Sequence, residues 1–160
     1  MSEPTPLPTH EHEALHRPAS ADEPPAPPKT DGAGARVARS GPRQLAVLIL
    51  GSGFSGLGLA MQLKAAGIHD FLVLERAARL GGTWRDNHYP GCACDVPSHL
   101  YSFASEPNPR WSRAYSPHDE ILRYLEGCAE RHGLGPHLRF GQEARTATWD
   151  EEGQRWEVVT

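Results

Sequence analysis

Apolar positions are concentrated in a few stretches of this chain. The run Leu45-Ala46-Val47-Leu48-Ile49-Leu50 is unbroken, and a second run, Phe71-Leu72-Val73-Leu74, ends on the acid Glu75. Runs without alternation suit parallel strands covered on both faces. Between them, Leu57, Ala60, Met61 and Leu63, with Ala65, recur at helical spacing over residues 57–66, and Gly67 closes the segment. The pattern predicts strand, helix, strand.

Further on, Ile121, Leu122, Leu125, Cys128 and Ala129 predict a second helix with one apolar face, ended by Gly133. Ser116 is its expected N-cap, with Pro117 at the first helical position and Asp119 as the acid of a capping box. Residues 138–140 read as a short strand. Residues 144–149 and 155–160 read as two strands joined by the turn Asp150-Glu151-Glu152-Gly153. Residues 85–115 have no clear periodicity and are rich in proline, aromatic and polar positions, which predicts a long ordered loop.

Composition separates the N-terminus from the rest. Residues 1–42 hold nine of the fifteen prolines, with few and scattered apolar side chains. Such a segment buries too little apolar surface to offset its ordering entropy, so a disordered tail is expected there, with one domain over residues 43–160. His10, His12 and His16 lack the fixed geometry a metal site requires and read as solvated. Pro24-Pro25-Ala26-Pro27-Pro28 suits a flexible extension or, less simply, a docking segment for a proline-binding partner.

The whole chain has 160 residues and a formal net charge of −4, without a basic stripe, so nucleic acid is not an expected partner. Its longest apolar run falls far short of the roughly twenty residues of a spanning helix, and the first residues do not have the plan of a signal peptide. Cys92, Cys94 and Cys128 make no disulfide framework, and the C-x-C pair has no second pair with which to hold a metal. Buried thiols in a soluble, cytoplasmic protein without a metal or membrane are the plain expectation.

The chemistry-bearing stretch lies between the two apolar runs. Gly51-Ser52-Gly53-Phe54-Ser55-Gly56 is a G-x-G-x-x-G placed after a strand and before a helix. Gly51 permits a tight turn, Gly53 lets backbone approach a pyrophosphate, and Gly56 lets the helix lie close to the strand. The helix N-terminus offers N–H groups and partial positive charge to phosphates. Glu75 lies nineteen residues past Gly56, where a carboxylate can accept from ribose hydroxyls. An α/β, Rossmann-like βαβ unit with a parallel sheet and a C-terminal β-hairpin or meander is therefore predicted. Gly81-Gly82-Thr83-Trp84 suits either backbone passing close to a flat ligand or a turn beside a core tryptophan.

The series Gly51-x-Gly53-x-x-Gly56, Glu75, Gly81-Gly82-Thr83-Trp84, Tyr89-Pro90-Gly91 and Asp95 with Tyr101 resembles the N-terminal FAD-binding region of class B flavin-dependent monooxygenases. Within that class it is most similar to the Baeyer–Villiger monooxygenases and their flavin-containing monooxygenase relatives. The resemblance implies that Gly51, Gly53, Phe54, Ser55 and Gly56 line the FAD pyrophosphate and that Glu75 holds the adenosine ribose. It places Gly82, Thr83 and Trp84 along the ribityl chain, and Asp95, Val96 and Tyr101 near the isoalloxazine. It further implies that Asp95 faces the nicotinamide and oxygen chemistry as the candidate catalytic residue, and that Ala144 meets the adenine.

The resemblance further implies an NADPH-dependent enzyme that passes one oxygen atom from O2, through a peroxyflavin, to a small organic ketone, amine or sulfide. No second G-x-G-x-x-G is present in these 160 residues, so the NADPH site is expected beyond residue 160, the chain reads as truncated, and the isolated chain is expected to be catalytically incomplete. Two other readings fit the glycine motif. One is another flavoprotein, such as an amine oxidase or a disulfide reductase, although no C-x-x-x-x-C redox pair follows. The other is a non-catalytic dinucleotide-binding module.

Overall fold

A computed structural model describes residues 42–160 of the chain. The expectations for residues 1–41, including the tail, its histidines and its proline run, lie outside the described residues.

Strand β1 (Val47–Leu50) pairs in parallel with β2 (Phe71–Glu75), with Val47 opposite Phe71 and Leu50 opposite Leu74. Strand β3 (Leu138–Phe140) adds in parallel to the other edge of β2, giving the order β1-β2-β3. Helix α1 (Phe54–Ala65) connects β1 to β2. It buries Leu57, Ala60 and Met61, while Leu63 is half-buried and Ala65 is exposed, so the buried stripe is narrower than the sequence pattern predicted. The helix begins three residues before the expected start, because Phe54 and Ser55 are already in its first turn. At its far end Gly67 adopts φ +76°, and Lys64 Nζ donates to the Gly133 carbonyl at 3.0 Å.

Helix α3 (His118–Arg131) lays Ile121, Leu122, Tyr124, Leu125, Cys128 and Ala129 into the same core as Ile49, Phe71 and Val73. Each fully buried leucine, isoleucine or phenylalanine contributes about 1.5–3 kcal/mol of transfer free energy. The helix start differs from expectation. Pro117 is the N-cap, no side chain caps the helix, and Asp119 pairs with Arg123 one turn on. Ser116 is drawn inward instead: its N–H donates to Ser98 Oγ at 2.7 Å, which ties the preceding loop to the helix entrance.

The long loop is ordered by local structure. A one-turn helix α2 (Thr83–Asp86) and a 3₁₀ turn (Ser98–Leu100) interrupt it. Cys94 N–H donates to the Ser116 carbonyl at 2.9 Å and Ser98 N–H to the Ala114 carbonyl at 2.7 Å, so the loop's two arms run side by side. The Tyr124 hydroxyl accepts from Phe103 N–H and donates to the Glu106 carbonyl, both at 2.8 Å. Glu106 then pairs with Arg131 and His132 at the end of α3. Cys92, Cys94 and Cys128 are buried and unbridged, and among the described residues no group of side chains is arranged to hold a metal.

The hairpin of β4 (Thr146–Asp150) and β5 (Arg155–Val159) forms a separate two-stranded sheet. Trp149 lies opposite Trp156, ring edge to ring face at 5.5 Å. No helix among the described residues is long and apolar enough to cross a membrane.

Candidate cofactor site

The end of β1 is where the chemistry-bearing residues meet. Gly51 adopts φ +90°, a region that favours glycine, and its N–H donates to the Leu74 carbonyl at 2.7 Å. Ser52 is fully buried, and both its N–H (3.0 Å) and its Oγ (2.8 Å) donate to Glu75 Oε2. A Cβ on Gly56 would overlap the Gly51 carbonyl oxygen, so the turn can fold back onto the helix only because that position lacks a side chain. Gly53 is the N-cap of helix α1, which has no side-chain cap and no acid in its first turn. Its first N–H groups, which have no intrahelical partner, are thus left to an anionic ligand.

A second backbone segment closes over this turn. Gly81 N–H donates to the Ser52 carbonyl at 3.0 Å, and Gly82, at φ +53°, passes so close that a Cβ on it would lie 3.0 Å from the Gly53 Cα. Beyond it, Trp84 is buried and donates from Nε1 to the Tyr101 hydroxyl at 3.2 Å. Phe54, from the first turn of α1, meets Tyr101 edge-on at 4.9 Å and lies 4.3 Å from Phe103. Gly82, Trp84, Phe54 and Tyr101 thus make one wall with an aromatic end.

At the opposite end, Glu75 is buried at the tip of β2. Its Oε1 accepts from Ala77 N–H at 2.9 Å and lies 3.2 Å from Arg85 Nη1, whose side chain is itself only 9% exposed. Burial works against the carboxylate's charge. The Ala77 amide, the Ser52 amide and hydroxyl and the Arg85 guanidinium outweigh it and hold the Glu75 pKa below the ordinary value.

Two adjoining cavities follow this layout and share Leu50, Gly51, Gly53, Gly82 and Thr83. One, of about 330 Å³, extends past Glu75 and Arg85 to Gln142, Glu143 and Ala144. The other, of about 420 Å³, extends past Phe54, Ser55 and Gly56 to Trp84 and Tyr101. Eleven of the thirteen residues picked out from the sequence therefore line one cleft: Gly51, Gly53, Phe54, Ser55, Gly56, Glu75, Gly82, Thr83, Trp84, Tyr101 and Ala144. Asp95 and Val96 line neither cavity and are exposed. Ser52 and Arg85 were missed. A buried acid at a strand tip requires donors, and that requirement was the available signal.

Residues 49–117 match the description of an NAD(P)-binding Rossmann-like domain. A Baeyer–Villiger monooxygenase of Streptomyces coelicolor is 59% identical over 114 residues, which is 71% of this chain and 22% of that protein. A Baeyer–Villiger monooxygenase of Pseudomonas aeruginosa is 47% identical over 116 residues, with 72% and 22% covered. Over this stretch the chain is similar to Baeyer–Villiger monooxygenases. An oxidised steroid monooxygenase bound to NADP superposes with a TM-score of 0.65 at 37% identity, over 69% of this chain and 22% of that one. The chain thus spans about a fifth of the length of the Baeyer–Villiger monooxygenases it matches. The parallel sheet and the glycine turn make it Rossmann-like, and a C-terminal hairpin follows, as the sequence pattern predicted.

Proposed function

We propose that residues 42–160 form the FAD-binding part of an NADPH-dependent flavin monooxygenase. The observation that carries this reading is the single cleft running from Ala144 and Glu75, across the Gly53–Gly82 contact, to the aromatic end at Trp84 and Tyr101. An extended dinucleotide needs this order of surfaces: a polar end for a ribose, bare backbone for the pyrophosphate, and rings for the flavin.

The residues present fit FAD. Gly53, Phe54, Ser55 and Gly56 would hold the pyrophosphate with backbone N–H groups, and Gly51, whose own N–H goes to Leu74, would shape the turn beside it. Glu75 would meet the adenosine ribose and Ala144 the adenine. Gly82, Thr83 and Trp84 would run along the ribityl chain, with Tyr101 at the isoalloxazine and Asp95 and Val96 near it. When bound, the flavin would supply hydride acceptance from NADPH and activation of O2 for transfer of one oxygen atom to a small organic ketone, amine or sulfide. The protein's own part is positioning. The glycine turn and α1 would orient the phosphates, and the Trp84–Tyr101 hydrogen bond fixes the aromatic end.

The test is the visible absorption spectrum of the purified chain after incubation with FAD and desalting. Retained flavin absorbance that is lost in Gly53→Val supports the reading. A colourless wild-type chain that is folded by circular dichroism overturns it for these residues.

A further inference from the structure

Glu75 shows an unexpected economy of acceptors. A carboxylate offers about four acceptor positions. Here Oε2 takes the N–H and Oγ of Ser52, and Oε1 takes Ala77 N–H and the Arg85 guanidinium. Three of these contacts are 3.0 Å or shorter, and the longest, at 3.2 Å, is to Arg85. Only the Arg85 contact brings a full positive charge. Arg85 is also held from behind: Nη1 donates to the Arg79 carbonyl at 2.6 Å, and Nε and Nη2 fork onto Asp86 at 2.8 and 3.0 Å. Its guanidinium therefore stays beside Glu75 without needing Glu75 to hold it. Both side chains line the same end of the cleft.

We propose that Arg85 is a positioning residue for the cofactor: together with the Ala77 and Ser52 donors it keeps Glu75 ionised and aimed, and through Glu75 it holds Ser52 and the glycine turn in the shape that receives the dinucleotide. This inference rests on the FAD reading of the site. An ionised Glu75 accepts from Ser52, Ala77 and Arg85 alike, whereas a protonated one would present a donor to groups that are themselves donors. The other charged groups at this end are Arg76, Asp86 and Glu143. Arg76 acts on Asp86, which is bound to the guanidinium. Arg85 is thus the cation in direct contact with Glu75, and its removal leaves a buried carboxylate with two acids nearby.

The test is the FAD affinity of the full chain, read by quenching of flavin fluorescence, from about pH 5 to about pH 8. The wild type is expected to bind with nearly constant affinity across this range. Arg85→Gln is expected to bind at least tenfold more weakly at neutral pH and to weaken further as the pH is lowered. Arg85→Lys keeps the charge but loses the fork, so it is expected to bind more weakly than wild type yet without the pH dependence. Arg85→Gln tracking the wild type at every pH overturns the proposal, as does Arg85→Lys showing the pH dependence of Arg85→Gln. A second measurement holds even if Arg85→Gln fails to fold: the Glu75 carboxyl of the wild type, followed by ¹³C NMR, is expected to titrate below the ordinary glutamate value. Titration at or above that value overturns the proposal. A wild-type chain that takes up no FAD defeats the reading of the site instead, and the carboxyl titration still reads the charge state of Glu75.

Discussion

Gly53 and Gly82 meet backbone to backbone, and a Cβ on Gly82 would stand 3.0 Å from the Gly53 Cα. The contact joins two loops that are 29 residues apart in the chain, and it forms the floor of the cleft between the two cavities.

Gly82→Ala therefore faces two costs at once. Its φ of +53° is unfavourable for a side chain, and its Cβ would push the two loops apart. The first cost alone is about 1–2 kcal/mol. We expect a lowered thermal midpoint and at least a tenfold loss of FAD affinity. Gly135→Ala, with open space at its Cβ and no positive φ, serves as the control and should change neither. Equal behaviour of the two variants in melting and titration would show that the loop contact does not shape the cleft.

Acid should loosen the fold through two glutamates. Donors from Ala77, Ser52 and Arg85 lower the Glu75 pKa against the effect of burial. The hydrogen bond from His132, followed by that from Arg131, lowers the Glu106 pKa. A folded pKa below the unfolded one gives stability that is fully present above the unfolded value and is lost as pH falls through the folded one. The thermal midpoint should thus begin to fall near pH 4.5, the ordinary value, and continue downward. Glu106→Gln should melt lower than wild type at neutral pH, and that gap should close in acid. A gap that stays constant with pH would rule out Glu106 as a contributor.

The Tyr124 hydroxyl ties the long loop to α3. Burial pushes its pKa up, so it keeps its proton and can donate to the Glu106 carbonyl throughout the neutral range while accepting from Phe103 N–H. Tyr124→Phe leaves both backbone groups without this partner. The expected cost is about 1–3 kcal/mol in chemical denaturation. Because Phe103 lies against Phe54 and beneath Gly58, FAD affinity should fall several-fold as well. An unchanged denaturation midpoint would mean that water replaces the hydroxyl without loss.

The parts of this molecule that follow from near neighbours in sequence were legible beforehand. The apolar runs, the glycine spacing and the 121–129 stripe point directly to β1, β2, α1 and α3, because each depends on local periodicity. Ser116 misled because its N–H found Ser98, far along the chain, and so its role is set by tertiary contact rather than helix capping. Arg85 was invisible for the same reason: nothing local shows that a residue of α2 reaches the tip of β2. Ala144 was legible only through resemblance, since its place at the cleft depends on how the chain leaves β3.

The glycine turn is fastened on both sides by bonds within the protein: Gly51 to Leu74, Ser52 twice to Glu75, and Gly81 to Ser52. A loop built in this way has its ordering entropy charged to folding, not to docking. Arrival of a dinucleotide should then be a nearly rigid encounter, with an on-rate governed by diffusion and charge. Variants around the turn should differ from one another mainly in how long the cofactor stays.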